Sequence, residues 1–287
     1  MTTPATIAFQ GAPGAFSHQA ALAFSQSLGL DARFVPCQTF GDMFHGVSHG
    51  STKYGAVPLE NSSIGSITAN YDLLWNSQTK IIAEHVLPVH MQLIGFEGTD
   101  LKSIRTVYSH PAALDQCRGL FQKYPNMQAR VHWDTSGAVV HVKEAGNPNS
   151  AAIAGELAAK EYNMAILASR VEDYVHNSTR FGLITAASES QPALEPPYKL
   201  SCAVELEHTP GALARVLTSL TATGANLTKI ESRPIGETLW HYRFFMDLEL
   251  TSGGVEPIEA ALKIYSRNFK LLGRYKPAVA TAPSRNS

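Results

Sequence analysis

The sequence predicts an α/β domain followed by a smaller α+β domain of ferredoxin-like order, and three observations predict it. Before residue 188, short apolar segments alternate with stretches of helical periodicity. From Ser188 to Pro197, three prolines (Pro192, Pro196 and Pro197) stand among Ser, Glu and Gln, a composition poor in backbone donors that reads as a linker. Beyond it the order is strand, helix, strand, strand, helix, strand, the split βαβ arrangement.

In the first part, the predicted strands are Thr6–Phe9, Arg33–Pro36, Tyr54–Pro58, Val89–Gly95, Thr106–Ser109, Ala151–Ile153 and Ala165–Leu167. The predicted helices are Ser17–Ser27, Gly65–Ser77, Ala112–Lys123, Ser136–Ala145 and Glu156–Tyr162. In the second part, Leu200, Cys202, Val204 and Leu206 alternate with other residues as in a half-buried strand. Thr209-Pro210-Gly211 resembles a helix start, with Thr209 as N-cap and Pro210 at the first helical position. Leu213, Val216, Leu217 and Leu220 then share one helical face, which Gly224 ends. Asn226–Arg233 and Tyr242–Leu250 read as strands, Pro257 opens a helix to about Tyr265, and Phe269–Tyr275 closes the unit. The tail from Pro277 has no pattern and is expected to fray.

Composition narrows the function classes. Of 287 residues, 44% are hydrophobic and 16% charged, enough to bury a core. The net charge of -1 gives no electrostatic footprint for nucleic acid. No apolar run reaches the roughly 20 residues that span a bilayer, and the first residues do not read as a secretory signal. Three scattered cysteines, Cys37, Cys117 and Cys202, fit neither a disulfide framework nor a thiolate metal site, so a cytoplasmic location is expected. Gly11-x-x-Gly14 lacks the further glycines or the Gly-Lys-Ser/Thr of nucleotide loops. His45 and His49 have the i, i+4 spacing of metal ligands but no Glu partner, so no metal site is expected.

Four ordered segments carry a family resemblance: Gln10–His18, Val57–Gly65, Val107–Pro111 with Gln116-Cys117, and Asn177–Phe181 with its Thr-Arg-Phe. Together they resemble the prephenate dehydratases. The segment after the linker is similar to an ACT domain, through Gly211-Ala212-Leu213 and Glu231-Ser232-Arg233-Pro234. The resemblance implies a catalytic domain at 1–187 with two α/β lobes like those of type II periplasmic-binding proteins and a cleft between them. It further implies a linker at 188–198, an ACT regulatory domain at 199–276 and a tail at 277–287.

The implied reaction converts prephenate, a dianion with a ring carboxylate, a pyruvyl side chain and a ring hydroxyl, into phenylpyruvate. It needs no metal or redox cofactor. The resemblance assigns Thr179 as the donor to the leaving hydroxyl, and Asn61, Ser109 and Gln116 as further catalytic residues. Arg180, Phe181, Glu60 and Ser62 are the implied substrate contacts, with Arg180 suited to a carboxylate by its planar fork. Thr135 and Ser136, ahead of an apolar helix, are candidate substrate contacts as an anion-binding helix start. A free threonine hydroxyl is a very weak acid, so donation needs a relay or a stabilising field. On residue type alone, Asn61, Ser62 and Ser109 read as helix caps, and Gln116 as a surface residue, more readily than as ligand donors, while Thr135-Ser136 reads as either cap or anion-binding helix start. His110 borders the implied cleft and is a minor candidate.

L-phenylalanine is the implied effector, bound between ACT domains of a homodimer or homotetramer by Gly211, Ala212, Leu213, Asn226, Leu227, Glu231, Ser232, Arg233 and Pro234. Ala214 departs from the β-branched residue that many relatives carry there. Two other readings stay open on sequence: an arogenate dehydratase, and a non-catalytic metabolite sensor of the same fold.

Overall fold

The computed structural model describes residues 4–174, 176–191, 194–236 and 241–278. Its first lobe runs β1 (Ala5–Gln10), α1 (Phe16–Ser27), β2 (Ala32–Cys37), α2 (Phe40–Ser48), β3 (Tyr54–Asn61), β4 (Gly65–Ser66), α3 (Thr68–Asn76) and β5 (Thr79–Pro88). The chain then crosses to a second lobe of β6 (Gln92–Gly95), β7 (Thr106–Ser109), α4 (Pro111–Asp115), α5 (Arg118–Lys123), β8 (Gln128–Val131), α6 (Thr135–Ala145), β9 (Ser150–Ala154), α7 (Glu156–Tyr162) and β10 (Ala165–Ala168). It returns to the first lobe as β11 (Ser178–Ala186). The C-terminal unit is β12 (Tyr198–Leu206), α8 (Ala212–Thr221), β13 (Asn226–Pro234), β14 (Tyr242–Leu250), α9 (Glu256–Ile264) and β15 (Ser266–Tyr275), in the expected βαββαβ order.

Two crossings between two sheets make the two-lobed architecture. The second lobe is a five-stranded sheet of order β10-β6-β9-β7-β8, and the first lobe contributes β5-β11-β3-β1-β2. Within the first lobe, β11 lies antiparallel between β3 and β5, so the returning chain enters the middle of that sheet. The C-terminal strands β13-β14-β12-β15 extend the same sheet through the pairing of Gly273 with Ile81. One face of this unit packs α8 and α9 over Cys202, Val204, Met246 and Leu248. The other, through Ala203, Phe245, Leu272 and Tyr275, shares a core with Met43, Leu59, Tyr71 and Leu74 of the first lobe.

Gly273 makes that junction possible: a Cβ there would overlap the backbone carbonyl of Ile81. Gly273→Ala is therefore expected to cost about 1–3 kcal/mol, as overpacking does. A thermal melt checks this, and an unchanged midpoint would show that the junction is plastic.

Several expected elements are corrected. The Val89–Gly95 strand begins only at Gln92, because Pro88 ends β5 and Val89 donates to the Asn177 carbonyl in the crossing (2.8 Å). The Ala112–Lys123 helix is two helices. Asp173 breaks it, donating its N–H to the Gln116 carbonyl (2.7 Å) while its carboxylate accepts from Arg118 N and Gly119 N. Thr209 is not the cap of α8; that position falls to Gly211 in a left-handed conformation (φ 77°). From residue 279 the expected tail lies outside the described residues.

Candidate active site

Residues from both lobes, and Val89 and Met91 from the first crossing, line a cavity of about 510 Å³. Lobe one supplies the start of α1 and the ends of β1 and β3. Lobe two supplies the starts of α4 and α6 together with Gln116, and β11 supplies Thr179 and Phe181.

Thr179 sits directly opposite Asn61, where β11 and β3 pair. The Asn61 amide is oriented by the chain itself. Its Oδ1 accepts from Ser63 N (2.9 Å) and Ile64 N (3.2 Å), groups that can only donate. Nδ2 must therefore face the other way, and it donates to Thr179 Oγ1 (2.9 Å) and Asn177 Oδ1 (2.8 Å). Asn177 Nδ2 in turn donates to Gln116 Oε1 (2.7 Å). All four side chains are buried. This chain fixes two outcomes: Thr179 accepts from within the protein, so its O–H is left to donate into the cavity, and Gln116 is left with its Nε2 donors.

The cavity wall, among the described residues, holds neither Lys nor Arg; its titratable side chains are His110 and Asp134. His110 caps α4, accepting from Ala112 N (3.2 Å). Asp134 caps α6, accepting from Gly137 N (2.7 Å), and reaches across to Ala12 N (3.1 Å). By contrast, Ala15 at the N-cap position of α1 offers no side-chain cap, and Ala15, Phe16 and Ser17 border the cavity. Uncapped first-turn N–H groups and the positive end of a helix dipole can receive an anion.

Below this turn, His18 stacks on Phe9 (centroids 4.5 Å apart) and accepts from Gly14 N at Nδ1 (3.0 Å). Burial lowers its pKa from the ordinary 6.5, with Glu161 partly opposing. The unfolded chain therefore binds this proton more readily than the folded one. Stability from this group is full above pH 6.5 and is lost as pH falls through the lower folded value. Denaturant midpoints measured below pH 6.5 should fall less steeply in His18→Asn than in the wild type; equal slopes would remove His18 from the acid response.

Thr179, Asn61, Gln116, Phe181 and Thr135 all border the cavity. Five other expected residues do not. Arg180 and Glu60 alternate with Thr179 and Asn61 along their strands, so their side chains leave on the opposite face. There Arg180 binds Asp247 (2.7 Å), Glu84 (3.2 Å), Glu60 (3.2 Å) and Tyr71 Oη (3.1 Å), and the expected carboxylate clamp is corrected to an interdomain contact. Burial opposes ionisation of Glu60, but Lys229 and Arg180 outweigh it and hold its pKa below the usual value. Ser109 is fully buried beneath the cavity, donating to the Ile153 carbonyl (2.6 Å). Ser62 clamps the crossing through His176 O and Ser178 N (3.0 Å each). Ser136 is turned onto the Pro13 carbonyl.

Two contributors were not singled out from sequence. Asn177 bridges Asn61 and Gln116, and its place in the quoted Asn177–Phe181 segment was the available signal. Ser17 lies in the Gln10–His18 segment.

In the C-terminal unit, Gly211, Ala212 and Leu213 line a cavity of about 360 Å³ with Tyr242 and Phe244. Asn226, Ser232 and Pro234 are exposed on the edge strand β13, and Leu227 packs into the local core. Glu231 and Arg233 turn toward the first lobe, meeting Ser66 (2.9 Å) and Asp72 (2.6 Å). One chain therefore does not gather the nine expected effector residues around a single cavity.

The prephenate dehydratase family profile matches residues 7–189, and the ACT domain profile matches residues 201–263. A prephenate dehydratase of Methanocaldococcus jannaschii is 36% identical over 265 residues, covering 91% of this chain and 94% of the relative. The structure of a prephenate dehydratase from Arthrobacter aurescens in complex with L-Phe superposes with a TM-score of 0.85 at 30% identity, covering 97% of this chain and 93% of that one. A structure described as a quorum-quenching acylase gives a TM-score of 0.83 at 31% identity, covering 96% of this chain and 98% of that one. With matching profiles over both parts and a relative aligned over nearly its whole length, the chain belongs to the prephenate dehydratase family and carries a C-terminal ACT domain.

Proposed function

We propose that this protein is a prephenate dehydratase, converting prephenate to phenylpyruvate, carbon dioxide and water. The observation that carries the reading is the Asn61–Thr179 contact, which leaves the threonine O–H free to donate at the cavity wall. Hydroxide is a poor leaving group, and a donor held at its oxygen stabilises charge that develops as the carbon–oxygen bond breaks.

The absence of Lys and Arg from the described cavity wall suits the other half of the reaction. The departing carboxylate loses its charge on the way to carbon dioxide. A guanidinium fixed against it would stabilise substrate more than transition state. The pyruvyl carboxylate keeps its charge, and the uncapped start of α1 with Ser17 is its receptor in this reading. Gln116 Nε2 offers a further neutral donor.

The acylase relative raises a second reading, nucleophilic acyl transfer. That chemistry needs a base within hydrogen-bond reach of the nucleophile. Among the described residues, the hydrogen-bond partner of Thr179 Oγ1 is an amide. The dehydratase reading is therefore preferred.

L-phenylalanine is the proposed effector, at an interface between two ACT domains. One chain separates the Gly211 cavity from the exposed part of β13, and a second copy can bring them together. Three free cysteines fit a cytoplasmic setting, and among the described residues no helix is long and apolar enough to cross a membrane. Turnover of prephenate and of arogenate by the purified protein tests the substrate. Preference for prephenate is expected; preference for arogenate would move the assignment to the aminated analogue, and turnover of neither would refute it.

A further inference from the structure

The catalytic pair stands at an irregular place in its sheet. Thr179 pairs with Asn61 and Arg180 with Glu60, but Phe181 pairs with Pro58, so β3 carries an extra residue, Leu59, at a bulge. Bulges re-aim side chains and weaken the ladder locally. The segment beyond this one, Ser178–Arg180 against Glu60–Asn61, therefore depends on something other than an unbroken ladder to fix its orientation.

The reverse face of the same two residues supplies it. Arg180, with its side chain 12% exposed, is held by Asp247 of β14, Glu84 of β5 and Glu60 of β3. Lys229 of β13 completes Glu60, and Lys199 of β12 completes Glu84. Asp247 is itself fixed by Ser201, which bonds Tyr275 Oη (2.6 Å). The regulatory unit thus grips the two strand positions adjacent in sequence to the two residues that line the cavity.

We propose that Arg180 is a positioning residue, with the ACT-domain carboxylate of Asp247 as its anchor, and that this contact sets the Thr179–Asn61 geometry from behind. It rests on the dehydratase reading above. A rigid strand carries a tilt of Arg180 directly into the neighbouring Thr179 hydroxyl, and misplacement by about 1 Å can cost on the order of 10²-fold in rate. Because the donor acts on the leaving group only as the bond breaks, the loss falls on kcat and not on KM.

The test is steady-state kinetics of full-length Asp247→Asn, alone and combined with Thr179→Ala. Expected is a fall of about 10-fold or more in kcat, with KM moved less than about two-fold, and no further fall when the donor is already absent. Arg180→Lys keeps the charge but not the fork that reaches three carboxylates, and is expected to lose kcat similarly. Should Asp247→Asn fail to fold, Glu60→Gln, at a more exposed position, is read in the same way. Unchanged kcat in folded protein overturns the positioning role, as does an equal fall in the Thr179→Ala background. A wild type without turnover overturns the reading of the site and this role with it.

Discussion

Thr179→Ala is expected to lower kcat by about 10²–10⁴-fold, the span usual for a lost proton donor. KM should change little, because a neutral hydroxyl contributes more to the breaking bond than to ground-state binding. The substitution also strips Asn61 Nδ2 of one acceptor inside a buried chain, at a cost of roughly 1–3 kcal/mol. A melt alongside the kinetics separates the two effects. Thr179→Ser keeps the hydroxyl and should recover most of the rate. Full turnover in folded Thr179→Ala would place the donor elsewhere in the cavity.

Asn61→Asp is expected to be as damaging for a different reason. One carboxylate oxygen can still accept from Ser63 N and Ile64 N, but the other then faces Thr179 Oγ1 and Asn177 Oδ1 as an acceptor. The threonine proton would turn onto the carboxylate and away from the substrate. A fall in kcat of about 10²-fold or more should follow. The loss should ease as pH drops, since a protonated carboxyl can donate again to Thr179. A loss that does not vary with pH would mean that the amide does not govern which way the hydroxyl points.

Both predictions turn on strand alternation, and alternation also explains what the sequence hid. Thr179 and Arg180 are neighbours in one signature, and so are Glu60 and Asn61, which invites one role for each pair. A period of two sends Thr179, Phe181 and Asn61 to the cavity, and Arg180 and Glu60 to the ACT interface. That signal was readable once β11 was recognised as a strand. It escaped because Ser178–Ala186 is buried along most of both faces and carries Gly182 at its centre, so it lacks the polar side of an ordinary strand. The strand β5 escaped for a related reason. Lys80, Glu84 and His85 look like solvent letters, yet the Glu84 side chain is 2% exposed and paired with Arg180 and Lys199. Helix α2 did leave a mark, the capping box of Thr39 and Asp42, which its short length obscured.

The C-terminal unit was more legible because its pattern is local. Its strands each bury one face under α8 and α9, and its stripe of Val216 and Leu220 packs where helical spacing places it. The partners of Glu231 and Arg233 were not legible: Ser66 and Asp72 lie more than 150 residues earlier in the chain, and only the folded interface brings them together. Gln116 was placed near the cleft by its helix, but its side chain is oriented by Asn177, 61 residues later in the chain, while Asp173 binds its backbone carbonyl where α4 ends.

The most direct measurement is phenylpyruvate formation from prephenate by the purified wild-type chain beside Thr179→Ala, each shown to be folded. Turnover by the wild type that collapses in the variant is the expected result. A folded wild type that forms no phenylpyruvate, or a variant that forms it as fast, would contradict the assignment of this cavity as a dehydratase site with Thr179 as its donor.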